Sequence, residues 1–383
     1  MPGNILSKEV SMYYNDMTAK QFIKQSMAVS RNLTRAIVGK VVIDRVANTK
    51  RGTVYIYVKS NNLWVLEKEI KMTPTLNNTC GNRVGISEDG KTICFTDTEY
   101  LSGASGSTTG TIYFYKFLDT GGWTYDKMIP PNNVHLNGIL GNNASLVNNG
   151  NTIVLSLTNY TDDTANVDAV IDVLKYQAGE WIADSFENDI VGTIQTNIHS
   201  ICATVDGTRI AACGSYWVTE DNITDFIYIF IQDELGKYTL EYSIPLDEIT
   251  KVDQLTGSTI AITGDGQKIV LLTNTINVDE FKDTVSLFTR RLDNTGNIIW
   301  KLADTVEPVK DLNKNENLIS LTISFDGTRV AIGSNQRLDN PTDGPTGILH
   351  LYNITNGAFV YSTKYTDMFA KTPQQLIQVL SAT

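Results

Sequence analysis

Hydrophobic and polar residues alternate along this chain in short runs, and the runs are grouped into units that recur every ~60 residues. Each unit opens with two alternating runs joined by an Asp-Gly or Asn-Gly step. Alternation with a period of two predicts half-buried strands. Asp-Gly between two such runs predicts a tight hairpin, because glycine adopts positive φ without steric cost. The units that show this step are Val84–Phe95, Ser145–Leu155, Cys202–Ala212, Ile260–Leu271 and Leu321–Ile332.

A sixth unit, Met27–Val38, keeps the spacing of the repeat but lacks the glycine. In most units a serine or threonine stands two residues before the Asp or Asn of the step. A hydroxyl at that position can bond to nearby backbone groups and close the turn. These residues are Ser30, Ser87, Thr204, Thr263 and Ser324, and Val147 takes the position in the remaining unit.

Two further strands follow in each unit. The third is rich in β-branched and aromatic residues, as in Val54–Tyr57 and Ile227–Phe230. The fourth opens with an aromatic residue, which is Trp64, Trp123, Trp181, Tyr238, Trp300 or Phe359. Because four of the five tryptophans share this position, we expect them to pack between neighbouring units rather than to stack on a ligand.

Four antiparallel strands in each unit, repeated around a ring, predict an all-β protein: a β-propeller of six blades, with seven blades as the alternative. The repeats occupy residues 26–365 and form one domain. The N-terminal tail, residues 1–25, and the C-terminal tail, residues 366–383, do not fit the repeat. We expect the tails to close the ring or to dock a partner. In the C-terminal tail, Pro373 opens a segment that fits either a short capped helix or an added edge strand.

The repeat resembles the FG-GAP repeats of integrin-α-type propellers. Ile323–Gly333 matches the Ser-x-Asp-Gly portion of that pattern, and Gly52–Tyr57 followed by Trp64 matches the Gly-x-Val-Tyr-Ile-Tyr portion. The resemblance covers about residues 26–365 and implies a propeller, but it says less about function, because folds of this kind host many activities. Members of the family commonly have seven units, and those that bind calcium carry an Asp-x-Asp-x-Asp-Gly loop. This chain has no such loop, so the resemblance implies no calcium site.

The net charge of −11 and a pI of about 4.8 argue against binding to nucleic acid or to an anionic membrane surface. No basic and apolar leader follows Met1, and no apolar run approaches the ~20 residues of a membrane span. We therefore expect a cytoplasmic or virion-associated protein. The richness in Asn, Thr and Ile, together with the missing export signal, makes the chain similar to propeller proteins of large DNA viruses.

The four cysteines, Cys80, Cys94, Cys202 and Cys213, have no metal-binding spacing. In a two-residue hairpin at Asp206-Gly207, Cys202 faces Ala211, so Cys213 is a diagonal neighbour. Diagonal neighbours on paired strands lie ~7–8 Å apart, which is beyond easy disulfide reach. Buried free thiols in a reducing compartment are therefore expected.

The sequence offers few groups for catalysis. His135, His199 and His350 are far apart in the repeat, so a shared metal site or a catalytic triad is not expected. No Gly-x-Ser-x-Gly elbow, phosphate loop or His-Glu-x-x-His motif is present. We predict a non-enzymatic interaction or structural module, without cofactor or metal, that binds a protein partner. The alternatives are a carbohydrate-active hydrolase or lyase, with carboxylates or a tyrosine near the central channel, and a glycan- or receptor-binding module.

The connections between second and third strands are predicted to be long, acidic loops with interleaved aromatic residues. They share one face of the ring with the connections between blades, whereas tight Asp-Gly turns occupy the other face. Recognition sites concentrate on loops held by a rigid scaffold, and aromatic residues are frequent interface anchors. We call the face that carries the long second-to-third connections the loop face. Its predicted partner-binding residues are Tyr100, Tyr160, Asp162, Asp163, Tyr216, Trp217, Glu220, Asp221, Asp279, Glu280 and Phe281.

Trp217 is the strongest single candidate on the loop face, because it is the only tryptophan outside the fourth-strand position. The same loops are expected to contain further acids, which are Asp97, Glu99, Asp168, Asp225, Asp283, Asp339 and Asp343. The alternative for any single residue is a solvated acidic rim with its aromatic rings folded inward.

Overall fold

The computed structural model describes residues 21–44, 49–61, 63–72, 78–98, 110–129, 139–161, 167–183, 195–219, 222–246, 255–277, 280–308, 316–336 and 346–365. These residues form six four-stranded sheets, and in each sheet neighbouring strands along the chain pair in antiparallel fashion. The sheets are the blades of a six-bladed β-propeller, as the sequence predicts. Strand β1 starts before residue 26, at Gln21. The two predicted tails otherwise lie outside the described residues.

The blades follow one another in chain order. Blade 1 contains β1 (Gln21–Val29), β2 (Arg35–Asp44), β3 (Thr49–Ser60) and β4 (Leu63–Lys71). Blade 2 contains β5 (Val84–Ile86), β6 (Thr92–Asp97), β7 (Thr111–Leu118) and β8 (Gly122–Ile129). Blade 3 contains β9 (Ile139–Val147), β10 (Thr152–Thr161), β11 (Val167–Gln177) and β12 (Glu180–Ala183), with a 3-10 turn at Asn148–Gly150. Blade 4 contains β13 (Gln195–Ala203), β14 (Arg209–Thr219), β15 (Asn222–Gln232) and β16 (Tyr238–Pro245). Blade 5 contains β17 (Leu255–Ile262), β18 (Lys268–Asn277), β19 (Glu280–Leu292) and β20 (Ile298–Val306). Blade 6 contains β21 (Glu316–Ile323), β22 (Arg329–Gln336), β23 (Thr346–Thr355) and β24 (Ala358–Tyr365).

The predicted hydroxyls close the hairpin turns between first and second strands. In blade 2, Ser87 Oγ donates to Asp89 Oδ1 at 2.6 Å and accepts the backbone N–H of Thr92 at 2.9 Å. Gly90 completes this turn with a φ of 72°. The hydroxyl-to-carboxylate bond recurs in the pairs Thr204–Asp206, Thr263–Asp265 and Ser324–Asp326. The Asp-Gly step is therefore a structural turn, held by its own side chains.

Blade 1 closes the same turn without glycine. Ser30 Oγ donates to Asn32 Oδ1 at 2.7 Å, so Asn32 takes the part of the aspartate. Leu33 adopts a φ of 55°, where the other turns place glycine. A leucine with positive φ carries steric strain, which the surrounding bonds must hold in place.

Bulky residues at the start of the fourth strands of blades 2 to 6 fill the spaces between blades, as predicted, whereas Trp64 packs in a cluster of blade 1 residues. Trp123 of blade 2 belongs to a core shared with blade 1, and Trp300 of blade 5 to a core shared with blade 4. Further cores join blades 2 and 3, blades 3 and 4, and blades 5 and 6. Stability in this ring therefore arises between blades as well as within each sheet.

A β-bulge interrupts the fourth strand of blades 1, 2, 4, 5 and 6. The extra residue lies three positions after the aromatic residue that opens the strand. In blades 1 and 4 this residue is a glutamate, Glu67 or Glu241, which accepts the indole N–H of the tryptophan in the next blade. The bulge thus turns a carboxylate toward the neighbouring blade.

All four cysteines are buried and free, as predicted. Burial raises the pKa of the Cys94 thiol to about 12, and it also raises the pKa of Cys80, beside the carboxylate of Asp97. These thiols are therefore protonated and poor nucleophiles at neutral pH. In the part of the chain that the structure describes, no helix has the length and apolarity of a membrane span.

Candidate functional site

In blades 4 and 5, the described part of the loop face is built from strands that extend beyond the expected limits. In blade 4, β14 and β15 stay paired as far as Thr219 and Asn222, and in blade 5, β18 and β19 stay paired as far as Asn277 and Glu280. The expectation of long loops is therefore wrong for these two blades. Polar residues near the hairpin ends still form the backbone hydrogen bonds of paired strands. Composition suggests a loop at these positions, because it does not reveal backbone pairing.

The predicted partner-binding residues divide into two groups. Tyr160, Tyr216, Trp217, Glu280 and Phe281 lie on strands β10, β14 and β19, where Trp217 pairs with Ile223 and Phe281 with Ile276. They are strand residues rather than loop residues, and the structure describes their backbone alone. The others lie outside the described residues: Tyr100, Asp162, Asp163, Glu220, Asp221 and Asp279. Their role in binding stays a prediction.

Four further acids that were expected in these loops are also strand residues. Asp168 is the second residue of β11, and the remaining three are buried: Asp97 is 4% exposed, Asp225 7% and Asp283 5%. A buried carboxylate is costly unless donors surround it. The expectation of solvated loop positions is wrong for these three side chains.

Each buried carboxylate forms hydrogen bonds that connect the base of a loop-face hairpin to a neighbouring segment of the chain. Asp97 Oδ1 accepts the backbone N–H and the hydroxyl of Thr79, at 2.8 and 2.9 Å. Asp283 accepts the amide of Asn274 at 2.7 Å and, across the blade boundary, the backbone N–H of Leu318 at 3.0 Å. The loop face therefore stands on fixed supports, since these bonds hold both the second strand and the incoming first strand.

The third carboxylate, Asp225, begins a hydrogen-bond chain that reaches the centre of the ring. Ser215 Oγ donates to Asp225 Oδ1 at 2.6 Å and lies 2.8 Å from Nε2 of His199. The single hydroxyl proton is used on Asp225, so Nε2 of His199 must carry the proton that completes the chain. Burial lowers the pKa of His199 from its ordinary value of 6.5, so the ring is neutral at pH 7.

His199 reaches the central channel, where the first strands of all six blades surround a cavity of about 100 Å³. We define the polar rung as the six residues that lie four positions before the first turn residue of each blade. They are Ser26, Arg83, Asn143, Ser200, Thr259 and Ser320. Two positions further along each strand lie the small residues Ala28, Gly85, Ser145, Cys202, Ala261 and Thr322. Small side chains at this level leave space beside the polar rung.

Arg83 is the only charged member of the polar rung, and it lines the cavity with Ser26, Ser200 and Thr259. Protein surrounds the guanidinium, while the channel leaves it partly accessible to water. Burial lowers the pKa of Arg83 from 12.5 to about 9, because desolvation disfavours the charged form. The side chain is therefore a cation at neutral pH, in a setting that favours a nearby negative charge.

Sequence reasoning missed the polar rung. The signal was available, because all six repeats carry a polar residue at one position of a strand otherwise rich in apolar residues. Among the described residues, no group of three or more His, Cys, Asp and Glu is arranged to hold a metal ion.

Comparisons with known proteins show the fold alone. No protein-family model matches the chain, and no curated protein matches its sequence. Among solved structures, a candidate 6-phosphogluconolactonase from Bacteroides uniformis is similar with a TM-score of 0.50 and 10% identity, over 92% of this chain and 97% of that one. Sqt1 from Chaetomium thermophilum is similar with a TM-score of 0.50 and 12% identity, over 94% of this chain and 74% of its own. At these identities the likeness extends to the propeller and no further.

Proposed function

We propose that the protein is a non-enzymatic interaction module whose loop face binds a protein partner. This proposal rests on one observation: buried carboxylates hold the hairpins of the loop face in place. Asp97, Asp225 and Asp283 fix the bases of hairpins in three blades, and those hairpins carry the acidic and aromatic residues above them. A surface held in place before binding loses less conformational entropy on association.

The chemistry of the loop face fits a partner with a basic surface. Acidic residues dominate the hairpin ends of blades 3, 4 and 5, in a chain with a net charge of −11. Complementary charge raises the rate of association, and aromatic anchors contribute most of the binding energy in such interfaces. Trp217 precedes Glu220 and Asp221 by three and four residues, so this segment combines both features.

Affinity capture with matched variants tests this proposal. Trp217→Ala combined with Glu220→Lys and Asp221→Lys should abolish recovery of the partner that the wild type captures. The control is Glu234→Lys with Leu235→Ser, because both residues are exposed in a turn on the opposite face. Circular dichroism and thermal melting establish that both variants fold. Equal recovery by the two variants would place binding elsewhere.

We further propose that the protein is related to the FG-GAP propellers and that it associates with the virions of a large DNA virus. Mass spectrometry of purified particles tests the second point, since a structural component is recovered at stoichiometric levels. A glycan array separates protein capture from the alternative of glycan or receptor binding.

The carbohydrate-active alternative requires two carboxyl groups about 5–9.5 Å apart at the reaction centre. The buried carboxylates of Asp97 and Asp283 each bond to backbone N–H groups, which assigns them to the scaffold. No described observation favours this alternative over partner binding.

A further inference from the structure

The central channel contains a cationic side chain in a polar setting that partner binding on the loop face does not use. Arg83 belongs to the polar rung, in which four members have a hydroxyl group. Further hydroxyls of Ser145 and Thr322 line the same cavity, one level along the strands. Hydroxyl and guanidinium groups can donate hydrogen bonds to a ligand. The hydroxyl of Ser26 already donates to the carbonyl oxygen of Gly81 at 2.7 Å, so the proposal relies on Arg83 rather than on this hydroxyl.

The charge at the level of the polar rung opposes the charge of the whole protein. The chain has a net charge of −11, whereas the charged side chain of the polar rung is Arg83. Glu88 also lines the cavity, but its carboxylate pairs with Arg31 at 2.7 Å. A guanidinium in a partly desolvated site gains energy from a bound anion, and its planar fork matches a carboxylate or phosphate in two parallel bonds. The lowered pKa of Arg83 is consistent with anion binding. Burial disfavours the charged guanidinium, and a bound negative charge would stabilise it.

The size of the cavity suits a small ligand. A volume of about 100 Å³ exceeds the space that one water molecule needs, and an ion with a few non-hydrogen atoms fits in it. We propose that the central channel binds a small oxyanion, such as inorganic phosphate, sulfate or a simple carboxylate, at the guanidinium of Arg83.

His199 provides a reporter for this site. It lines the same cavity, and its Nε2 is fixed by the bond to Ser215. Among the described residues, the other histidine is His350, which lies on β23 and does not line the cavity. An anion in the channel should therefore shift the imidazole resonances of His199 and leave those of His350 unchanged.

Calorimetric titration of the full-length protein with sodium phosphate, sulfate and acetate tests the proposal, with sodium chloride at matched ionic strength as the control. Saturable binding of at least one oxyanion is expected. Arg83→Gln should weaken it roughly ten- to a hundredfold, the range for a lost bond to a charged group. The matched control is Arg291→Gln, because Arg291 is exposed and bonds to Thr289 on its own strand. It should bind as the wild type does.

The wild type alone also tests the site if Arg83→Gln does not fold. A saturable shift of His199 with phosphate, sulfate or acetate, absent with chloride, supports the proposal. Shifts that match chloride, or equal affinity of Arg83→Gln and Arg291→Gln, overturn it. The result is independent of partner capture, because the residues changed in the loop-face variant are not among those that line the cavity.

Discussion

Glu67 in blade 1 accepts a hydrogen bond from the indole Nε1 of Trp123 in blade 2, at 2.8 Å. The same carboxylate forms an ion pair with Arg35 of its own blade at 3.0 Å. Glu241 and Trp300 repeat the arrangement between blades 4 and 5 at 3.3 Å, with Arg209 and Arg290 as cationic partners. Repeated at equivalent positions, this bond sets the register of one blade against the next.

Removal of Glu241 should destabilise the fold strongly. Its side chain is 3% exposed, and Glu241→Ala leaves Arg209 and Arg290 without their carboxylate. We expect a loss of about 3–5 kcal/mol in the free energy of unfolding, measured by urea denaturation. Glu180→Ala is the control, because the Glu180 side chain is 73% exposed in its pair with Lys127. That change should cost less than about 1 kcal/mol. Similar losses for the two variants would contradict this account.

The contribution of Glu241 should disappear in acid. Burial alone raises the pKa of this carboxyl group, but hydrogen bonds from Arg209 and Arg290 outweigh burial and hold the pKa below its ordinary value of 4.5. A group whose pKa is lower in the folded state stabilises fully above its unfolded pKa and loses that effect as the pH falls through the folded value. The difference in unfolding free energy between wild type and Glu241→Gln should therefore shrink below pH ~4.5. Denaturation curves between neutral pH and acid test this, and a constant difference would refute it.

Asp126→Glu should stabilise the protein. Asp126 occupies in blade 2 the bulge position that glutamate occupies in blades 1 and 4, but its side chain is one methylene shorter. Among the described residues, Nε1 of Trp181 in blade 3 is buried and makes no hydrogen bond. A longer carboxylate should reach that N–H and add about 1 kcal/mol to the free energy of unfolding. The indole N–H resonance of Trp181 should move downfield. Asp126→Asn keeps the short side chain and loses the ion pair of Asp126 with Lys116 at 3.0 Å, so it should give no such gain.

Gly39→Ala should disrupt the junction of blades 1 and 2. A Cβ built on Gly39 lies 2.0 Å from the carbonyl oxygen of Gly81, which also accepts a bond from Ser26 Oγ. Backbone must move to relieve this contact, so we expect a loss of at least about 3 kcal/mol. Gly121→Ala is the control, because nothing lies within 4 Å of its added Cβ. Thermal melting of the two variants should differ clearly. An unchanged midpoint for Gly39→Ala would refute the close approach.

The blades could be predicted from sequence because their signals are local. An Asp-Gly step between alternating runs determines a hairpin within about a dozen residues, and its own hydroxyl and carboxylate close the turn. Even the unit without glycine fits, since Asn32 and Leu33 reproduce the turn geometry. The packing of aromatic residues between blades could also be predicted, because an aromatic residue recurs at the same position of all six repeats.

The loop-face hairpins and the channel could not be predicted in the same way. The burial of Asp283 depends on Leu318, which is distant in sequence and belongs to another blade. Composition alone therefore assigned this acid to the surface. Arg83 gains its significance only when six first strands converge on one axis, because a polar residue in a single strand is unremarkable. Both features depend on the closed ring.

The bulges in the outer strands have a consequence for how copies of this protein meet. The fourth strand of each blade is a sheet edge, and it exposes apolar side chains such as Leu66, Tyr125 and Tyr361. A regular edge of this kind would be a template for another chain to add a strand, and eventually for fibril growth. The extra residue shifts the ladder by one position and twists the edge, so an approaching strand meets mismatched donors and acceptors. The device that turns Glu67 inward also protects the rim against aggregation where the protein is crowded.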